Sequence, residues 1–171
     1  MRRRGFIYWL VLLLVGLMGG CGSSKPPLLS AVGPPPPPPL PPPTRVVMEV
    51  AASADLNPNL LNQPSPLQLR IYELKTPGVF DRADFFTLYE QEKTVLGADL
   101  LAQEQKLIKP GAVQRLQRTL QAETRYLGFL AAYRDIDRAQ WRTIIAVPPN
   151  QTTTIKVNLQ RLGLIARAIG R

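Results

Sequence analysis

The sequence contains no histidine, and Cys21 is the sole cysteine among its 171 residues. Without histidine, the chain lacks the commonest general acid–base group and cannot carry a Ser-His-Asp or Cys-His nucleophile system. One cysteine cannot form an intrachain disulfide or a zinc site made of Cys and His ligands. The sequence also has no phosphate-binding loop and no paired carboxylates in a plausible cleft. We therefore predict that the protein is not an enzyme and holds no metal ion.

Runs of like charge are absent beyond the first few residues. The formal charge is +9 at pH 7, a value found in proteins that bind nucleic acid or anionic membranes. Three of these charges are arginines at residues 2–4, in a segment that we expect to be removed. The other basic residues are dispersed, which is typical of a solvated surface, so we predict that the protein does not bind nucleic acid.

The N-terminus has the layout of a bacterial signal peptide. The arginines at 2–4 precede an almost unbroken apolar run of 13 residues, 6–18. This run matches the core of a signal peptide and is shorter than the ~20 apolar residues of a transmembrane helix. Gly19 and Gly20 then precede Cys21, which indicates a signal peptide over 1–20. A membrane-anchoring helix with an incidental cysteine is the alternative.

Cys21 is predicted to carry lipid. Residues 17–21 resemble a lipobox, in which small residues precede a cysteine that begins the mature protein and receives diacylglycerol and an N-acyl chain. Each buried methylene contributes about 0.8 kcal/mol, so two or three acyl chains hold a protein stably on a bilayer. Gly22, rather than Asp, follows the cysteine. By resemblance to the sorting rules of Gram-negative lipoproteins, this favours the outer membrane. No cofactor other than this covalent lipid is expected.

Residues 21–44 form a predicted tether between the lipid and the folded domain. They are rich in Gly, Ser and Pro and contain eleven of the 18 prolines, a composition that cannot bury a core. We expect a polyproline II conformation, which extends about 3.1 Å per residue. The segment is interpreted as a semi-rigid spacer, and a PxxP docking motif is the alternative.

Residues 45–171 are predicted to form one domain dominated by β-strands. Alternating or continuous apolar residues predict strands at 45–53, 67–72, 104–109, 125–133, 141–147 and 152–162. The segment 125–133 is apolar almost throughout, so we expect a strand covered on both faces. Strands punctuated by turn sequences favour a two-sheet antiparallel β-sandwich. The alternation over 113–120 is poor and leaves its structure open.

A helical insert is predicted between the second and third strands. Apolar residues recur at helical spacing within 81–92, and Asp81 or Asp84 is available as the N-cap. A second short helix is expected over 94–105. The C-terminal tail, 162–171, is expected to be a frayed end or a short helix.

Four sequence blocks resemble one protein family. They are PLQLRIYELK at 66–75, ADFFTLY at 83–89, LGADLL at 96–101 and AYRDIDRAQWR at 132–142. In this order and spacing the blocks are similar to the TssJ (VasD/SciN-type) lipoproteins of type VI secretion systems. The resemblance extends over roughly 46–162, and the predicted signal peptide and lipidated cysteine agree with it.

The resemblance implies a transthyretin-like β-sandwich anchored in the inner leaflet of the outer membrane and facing the periplasm. It implies recruitment of the periplasmic domain of the inner-membrane protein TssM, and through it TssL, into the secretion membrane complex. Family members contact TssM largely through the loop joining the first two strands, which is 54–66 here. The residues expected in this contact are Asp55, Leu56, Asn57, Asn59, Leu60, Leu61 and Gln63.

The composition of the 54–66 loop agrees with a protein contact, because Leu56, Leu60 and Leu61 have no obvious core role. A passive loop with its leucines tucked beneath it is the alternative.

Two further questions stay open from the sequence alone. The D-x-D pair of Asp135 and Asp137 suggests a metal site, although neighbouring arginines favour a charged turn. A ligand-binding lipoprotein, for example one that binds cell-wall glycan, is the alternative function.

Overall fold

The computed structural model describes residues 37–169. The predicted signal peptide, Cys21, most of the predicted tether and the last two residues lie outside the described residues. Within the described range, no helix combines the length and apolarity that crossing a membrane requires.

The described chain folds into two four-stranded sheets with a helical insert. In order along the chain the elements are β1 (Arg45–Ala52), β2 (Leu67–Leu74), α1 (Gly78–Arg82), α2 (Phe85–Leu96), a 3₁₀ turn (Gly97–Asp99), β3 (Leu100–Ile108), β4 (Val113–Thr119), β5 (Tyr126–Ala132), β6 (Arg142–Ala146), β7 (Thr152–Gln160) and β8 (Gly163–Ile169). Sheet 1 has the order β4-β1-β7-β8, and sheet 2 has the order β3-β2-β5-β6. The predicted sandwich, with helices between the second and third strands, is confirmed. One pair, β1 with β7, is parallel rather than antiparallel.

The main core lies between the two sheets, where period-two alternation places apolar side chains on the inner faces. From sheet 1 the buried side chains include Val46, Met48, Val50, Ile155, Val157 and Leu159, and from sheet 2 Leu69, Ile71, Leu127 and Phe129. Alternate residues of β7, such as Lys156 and Asn158, are exposed on the outer face of sheet 1. The inner faces therefore bury one continuous apolar layer.

A second, smaller core lies beneath the helices on the outer face of sheet 2. Phe80 of α1 and Leu88 of α2 pack there against side chains of β2 and β5, and all of them are fully buried. Gly128 lets α1 approach closely, since a Cβ at that position would lie 3.0 Å from the Phe80 ring. Strand β5 is thus covered on both faces, which confirms the expectation for its apolar sequence.

The helical insert ends earlier than the sequence predicted. Asp84 caps α2, because its carboxylate accepts a hydrogen bond of 2.9 Å from the backbone N–H of Thr87. Gly97, with φ of 49°, ends the helix in a conformation that most side chains avoid. Residues 100–108 then pair with β2. The predicted second helix over 94–105 is therefore wrong, because pairing with β2 takes the second half of that segment into the sheet.

The C-terminal tail is a strand, which corrects the expectation of a frayed end or a short helix. It forms β8, pairing antiparallel with β7 from Gln160↔Gly163 to Thr154↔Ile169. Its single fully buried side chain, Leu164, enters the main core. The segment 113–120, which was left open, contains β4, paired along the other edge with β1. Both are edge strands, so neither carries the strong apolar alternation of the central strands.

The topology places the predicted loop at the end of β1 opposite the one at which the described chain enters the sandwich. The described chain enters the sandwich at Arg45 and follows β1 for 8 residues to Ala52, where the loop begins. At about 3.3 Å per residue, the two ends of β1 lie about 25 Å apart. We call the end that carries residues 53–66 the loop pole.

Candidate protein-binding site

The root of the loop is part of the core. Leu56 is fully buried and belongs to the main apolar cluster. Its backbone closes the loop base, because Leu56 N–H donates to Ser53 O at 3.2 Å and Leu56 O accepts from Ser65 N–H at 3.0 Å. This burial corrects the expectation that Leu56 has no core role. Its side chain stabilises the loop from below and is not available to a partner.

Asn57 connects the loop to both sheets. Its backbone N–H donates to Arg161 O at 3.1 Å, just beyond β7. Its side-chain Nδ2 donates to Pro66 O, and its Oδ1 accepts from Arg134 N–H just beyond β5, both at 2.9 Å. The residue is 2% exposed and has φ of 47°. Asn57 was expected to contact the partner, but its amide is occupied by these internal hydrogen bonds.

Asn59 shapes the tip of the loop. Its Oδ1 accepts hydrogen bonds of 2.9 Å from the N–H groups of Leu61 and Gln63, and its Nδ2 donates to Gln63 Oε1 at 3.0 Å. The backbone closes the same turn, since Asn59 N–H donates to Gln63 O and Asn62 N–H donates to Asn59 O. Asn59 and Gln63 therefore fix the tip conformation, as Asx-type turns do.

The tip presents two leucines to solvent. Leu60 is 103% exposed and Leu61 is 76% exposed. Asp55, nearer the root, is also exposed. Because the loop is hydrogen-bonded at its root and tip, a partner that covers these leucines has little loop entropy to remove.

Other exposed apolar side chains also lie at the loop pole. Leu107 pairs across from the first residues of β2, and Val113 across from Ala51 at the end of β1. They are 65% and 63% exposed. The turn between them is tied to the loop base, since Gly111 N–H donates to Ser53 O at 3.0 Å. Four of the seven large exposed apolar residues in the described chain thus belong to this pole.

A cleft of about 770 Å³ opens beside the loop tip. We call it the arginine cleft, because Leu60 and Leu61 contribute to its wall together with Arg134, Arg138 and Arg161. The three arginines come from the connections that follow β5 and β7. Arg138 Nε lies 3.4 Å from Asp135 Oδ2. This pairing supports the interpretation of the D-x-D segment as a charged turn, and no cluster of three or more potential metal-ligating side chains occurs within 37–169.

Tyr133 holds the two arginine-bearing connections together. It immediately precedes Arg134 and is 4% exposed. Its hydroxyl donates to Gln160 O at 3.1 Å, next to Arg161. Burial raises the pKa of this hydroxyl above its ordinary value. The tyrosine therefore remains a neutral donor, linking the end of β5 to the end of β7.

The helical insert offers less apolar surface than the loop tip. Phe85 stacks on Tyr89 with ring centroids 5.3 Å apart and meets Trp141 edge-on at 5.4 Å. Only Phe86 is largely exposed, at 60%. Beneath the insert, Arg70 Nη1 donates to Glu92 Oε2 at 2.9 Å, which fixes α2 to the sheet. The aromatic residues of the insert thus pack mainly against their own domain.

The structure also assembles residues that sequence reasoning did not assign to the site. Arg134, Arg138 and Arg161 reach the loop tip only through the pairing of β5 and β7 with strands beside the loop. The loop leucines were identified from the sequence because polar and proline neighbours prevent them from alternating into a sheet. No local pattern marks the arginines, since about 75 to 100 positions separate them from the loop along the chain.

Comparison with known proteins gives consistent results. Residues 44–162 match the family model described as type VI secretion lipoprotein, VasD, EvfM, TssJ. The crystal structure of the lipoprotein TssJ1 from Pseudomonas aeruginosa is 44% identical in sequence, with a TM-score of 0.74, and the match covers 76% of this chain and 99% of that one. A search of curated protein sequences gave no match.

Two further solved structures share the fold. Serratia marcescens Lip, a membrane-bound component of the type VI secretion system, is 27% identical with a TM-score of 0.68, over 75% of this chain and 98% of that one. A chain in a type VI membrane complex is 21% identical with a TM-score of 0.61, over 74% of this chain and 98% of that one. At that identity the last similarity shows the fold alone.

Proposed function

Because the chain belongs to the TssJ/VasD family of type VI secretion lipoproteins, we propose that it captures the periplasmic domain of TssM without catalysing a reaction. Through TssM it would join TssL in the membrane complex of the secretion system. The observation that supports this proposal is the pair of exposed leucines, Leu60 and Leu61, on a loop that internal hydrogen bonds hold in place.

The anchoring arrangement in this proposal begins at Cys21. Acyl chains on this residue hold the protein in the inner leaflet of the outer membrane, and the proline-rich segment separates the domain from the lipid. The chain enters the sandwich at the end opposite the loop pole. This arrangement supports presentation of the leucines to a partner that extends from the inner membrane.

Burial of the two leucines would supply a substantial part of the binding free energy of such a complex. Fully burying one leucine side chain contributes about 1.5–3 kcal/mol, whereas a micromolar complex has a binding free energy of about −8 kcal/mol. A few interface residues usually carry most of the binding energy, and they lie near the centre of the interface in well-packed pockets. Removal of both leucines would therefore leave little measurable affinity.

The test replaces both anchors at once with Leu60→Ser and Leu61→Ser in the detergent-solubilised full chain. We expect affinity for the purified TssM periplasmic domain, measured by titration calorimetry, to fall about 100-fold or more. The midpoint of thermal unfolding stays unchanged because neither side chain contributes to the core. The matched control is Phe86→Ser, which removes an exposed apolar side chain from the helical insert. If Phe86→Ser abolishes binding while the leucine variant binds normally, the interface lies on the insert.

Membrane anchoring has a separate test. Cys21→Ser removes the thiol that would carry diacylglycerol, so we expect the protein in the soluble periplasmic fraction after cell fractionation. The variant with Leu60→Ser and Leu61→Ser serves as the control, and we expect it to stay in the outer-membrane fraction. A Cys21→Ser protein with its signal peptide removed that still fractionates with the outer membrane would contradict lipid anchoring at this residue.

A further inference from the structure

We propose that the arginine cleft recognises an acidic segment of the partner. A carboxylate side chain of that segment pairs with the guanidinium groups, while an apolar neighbour packs on Leu60 and Leu61. The inference rests on the proposed function and specifies the chemistry of the TssM surface that the loop pole binds.

The cleft carries an excess of positive charge. Its wall contains three guanidinium groups and one carboxylate, that of Asp135. Among the described residues, the Asp135 carboxylate pairs only with Arg138, whose side chain remains 76% exposed. Arg161 donates to the neutral Asn62 Oδ1 at 2.9 Å, and within 37–169 the Arg134 guanidinium forms no ion pair. A concave surface with an excess of one sign of charge concentrates its field, which favours an oppositely charged ligand.

Asn57 fixes the positions of the leucines and the arginines relative to each other. Asn57 accepts from the backbone N–H of Arg134 and donates to the backbone carbonyl of Arg161. The loop tip that follows Asn57 then presents Leu60 and Leu61 against the same cleft. The positions of the charged and apolar parts are therefore coupled before any ligand binds, as expected of a pre-organised recognition site.

Basic residues elsewhere on the domain lack this arrangement. Lys156 and Arg167 lie opposite each other on β7 and β8, exposed on the outer face of sheet 1. Arg115 on the same face is paired with Glu49 at 3.3 Å. That surface is an open strand face and not a cleft, and its charges are those of an ordinary solvated sheet. It provides a matched control for the cleft.

The composition of the cleft favours a protein ligand over a cell-wall glycan. Its apolar contributions come from Leu60, Leu61, Leu162 and Pro58, and none of its described lining residues is aromatic. Exposed leucines are suited to packing on aliphatic or aromatic side chains of another protein. Arginine pairs with a carboxylate through two parallel hydrogen bonds, which adds geometric specificity to the charge.

The experiment measures how affinity depends on cleft charge and on salt. Arg134→Gln with Arg138→Gln, in the full chain, should weaken binding of the TssM periplasmic domain about tenfold. Raising NaCl from about 0.05 to about 0.5 M should weaken TssM binding by the unsubstituted protein by a similar factor. The same increase should weaken binding by the Gln variant much less. Arg161 is left unchanged because its side chain also positions Asn62.

Two further variants separate the cleft from general charge effects. Lys156→Gln with Arg167→Gln removes the same net charge from the sheet face and should change affinity less than twofold. Arg134→Lys with Arg138→Lys keeps the charge and should recover the salt dependence, though part of the affinity is lost with the bidentate geometry.

The outcomes distinguish this inference from the proposed function. Equal affinity and equal salt dependence in the unsubstituted protein and the Gln variant would overturn acidic recognition, while TssM capture through the leucines would stand. Normal binding by the leucine variant with loss in the Gln variant would support the charged site and contradict the leucine anchors. If the full chain fails to bind TssM but sediments with peptidoglycan through Arg134 and Arg138, both proposals are overturned in favour of glycan binding.

Discussion

The root and the tip of one loop have opposite environments although their residues are alike. Leu56 is fully buried, whereas Leu60, four positions later, is fully exposed. Asn57 uses its side-chain amide to bind Pro66 and Arg134 beside sheet 2, while Asn59 uses the same chemistry to close a turn in solvent. The root therefore contributes to the stability of the domain, whereas the tip forms part of its surface. Loop residues of identical type can therefore serve separate purposes, and substitutions can separate them.

The largest effect on stability is expected at the root. Leu56→Ala leaves a cavity in the main core, so we expect the free energy of unfolding to fall by about 2–5 kcal/mol. Chemical denaturation monitored by circular dichroism measures this loss. The matched control is Leu61→Ala, which should change the unfolding free energy by less than about 0.5 kcal/mol. Similar losses in the two variants would erase the distinction between root and tip.

The next largest effect is expected at Asn57. Asn57→Ala leaves Arg134 N–H and Pro66 O without their side-chain partners, and places alanine at a positive φ. We expect a loss of about 2–3 kcal/mol in the free energy of unfolding, together with weaker TssM binding because the loop loses its link to the cleft. Denaturation and calorimetry on the same variant measure both quantities.

Asn150 provides the control for the backbone conformation at Asn57. It also has a positive φ, 61°, but lies in the turn before β7, away from the loop pole. Asn150→Ala should cost about 1 kcal/mol from strain alone and leave TssM affinity unchanged. If the two variants lose the same stability and both keep full affinity, Asn57 has no special role in the loop.

The smallest change in stability is expected at the tip. Asn59→Ala removes hydrogen bonds that order Leu61 and Gln63, but the site is near the surface, so the unfolding free energy should fall by about 1 kcal/mol or less. Affinity for TssM should fall about tenfold, because a mobile tip must be ordered on binding. Faster amide hydrogen exchange at 60–63 would report the mobility directly. Undiminished affinity with faster exchange would show that tip order does not contribute to binding.

The accuracy of the sequence predictions followed how strongly the apolar residues of each strand are patterned. Central strands β1, β2, β5 and β7 were identified, because they carry apolar residues at period two or along their whole length. Edge strand β4 was left open and edge strand β8 was missed, since few of their side chains enter the core, whereas edge strand β6 was identified within 141–147. The boundary between α2 and β3 was misplaced, because residues 100–103 have no alternation that separates helix from strand.

The position of the candidate site was predicted from the sequence, but the role of each loop residue was not. Polar and proline neighbours identified 54–66 as an irregular loop rich in leucine, and the fold retains it as a loop. Sequence composition could not sort Leu56 from Leu60, because burial depends on which residues other strands bring against the loop. The role of Cys21 stays a prediction, since that residue lies outside the described part of the chain.

By itself, the sequence determined the features that depend on near neighbours: period-two strands, an N-cap at Asp81 or Asp84, the proline-punctuated loop, and the exclusion of histidine chemistry. Only the tertiary structure decided which loop leucine is covered, where Asn57 directs its amide, and that Arg134, Arg138 and Arg161 meet the loop tip. The physical reason is the range of the interactions. Backbone periodicity and turns are set within a few residues, whereas burial and charge clustering arise from contacts between segments about 75 to 100 positions apart.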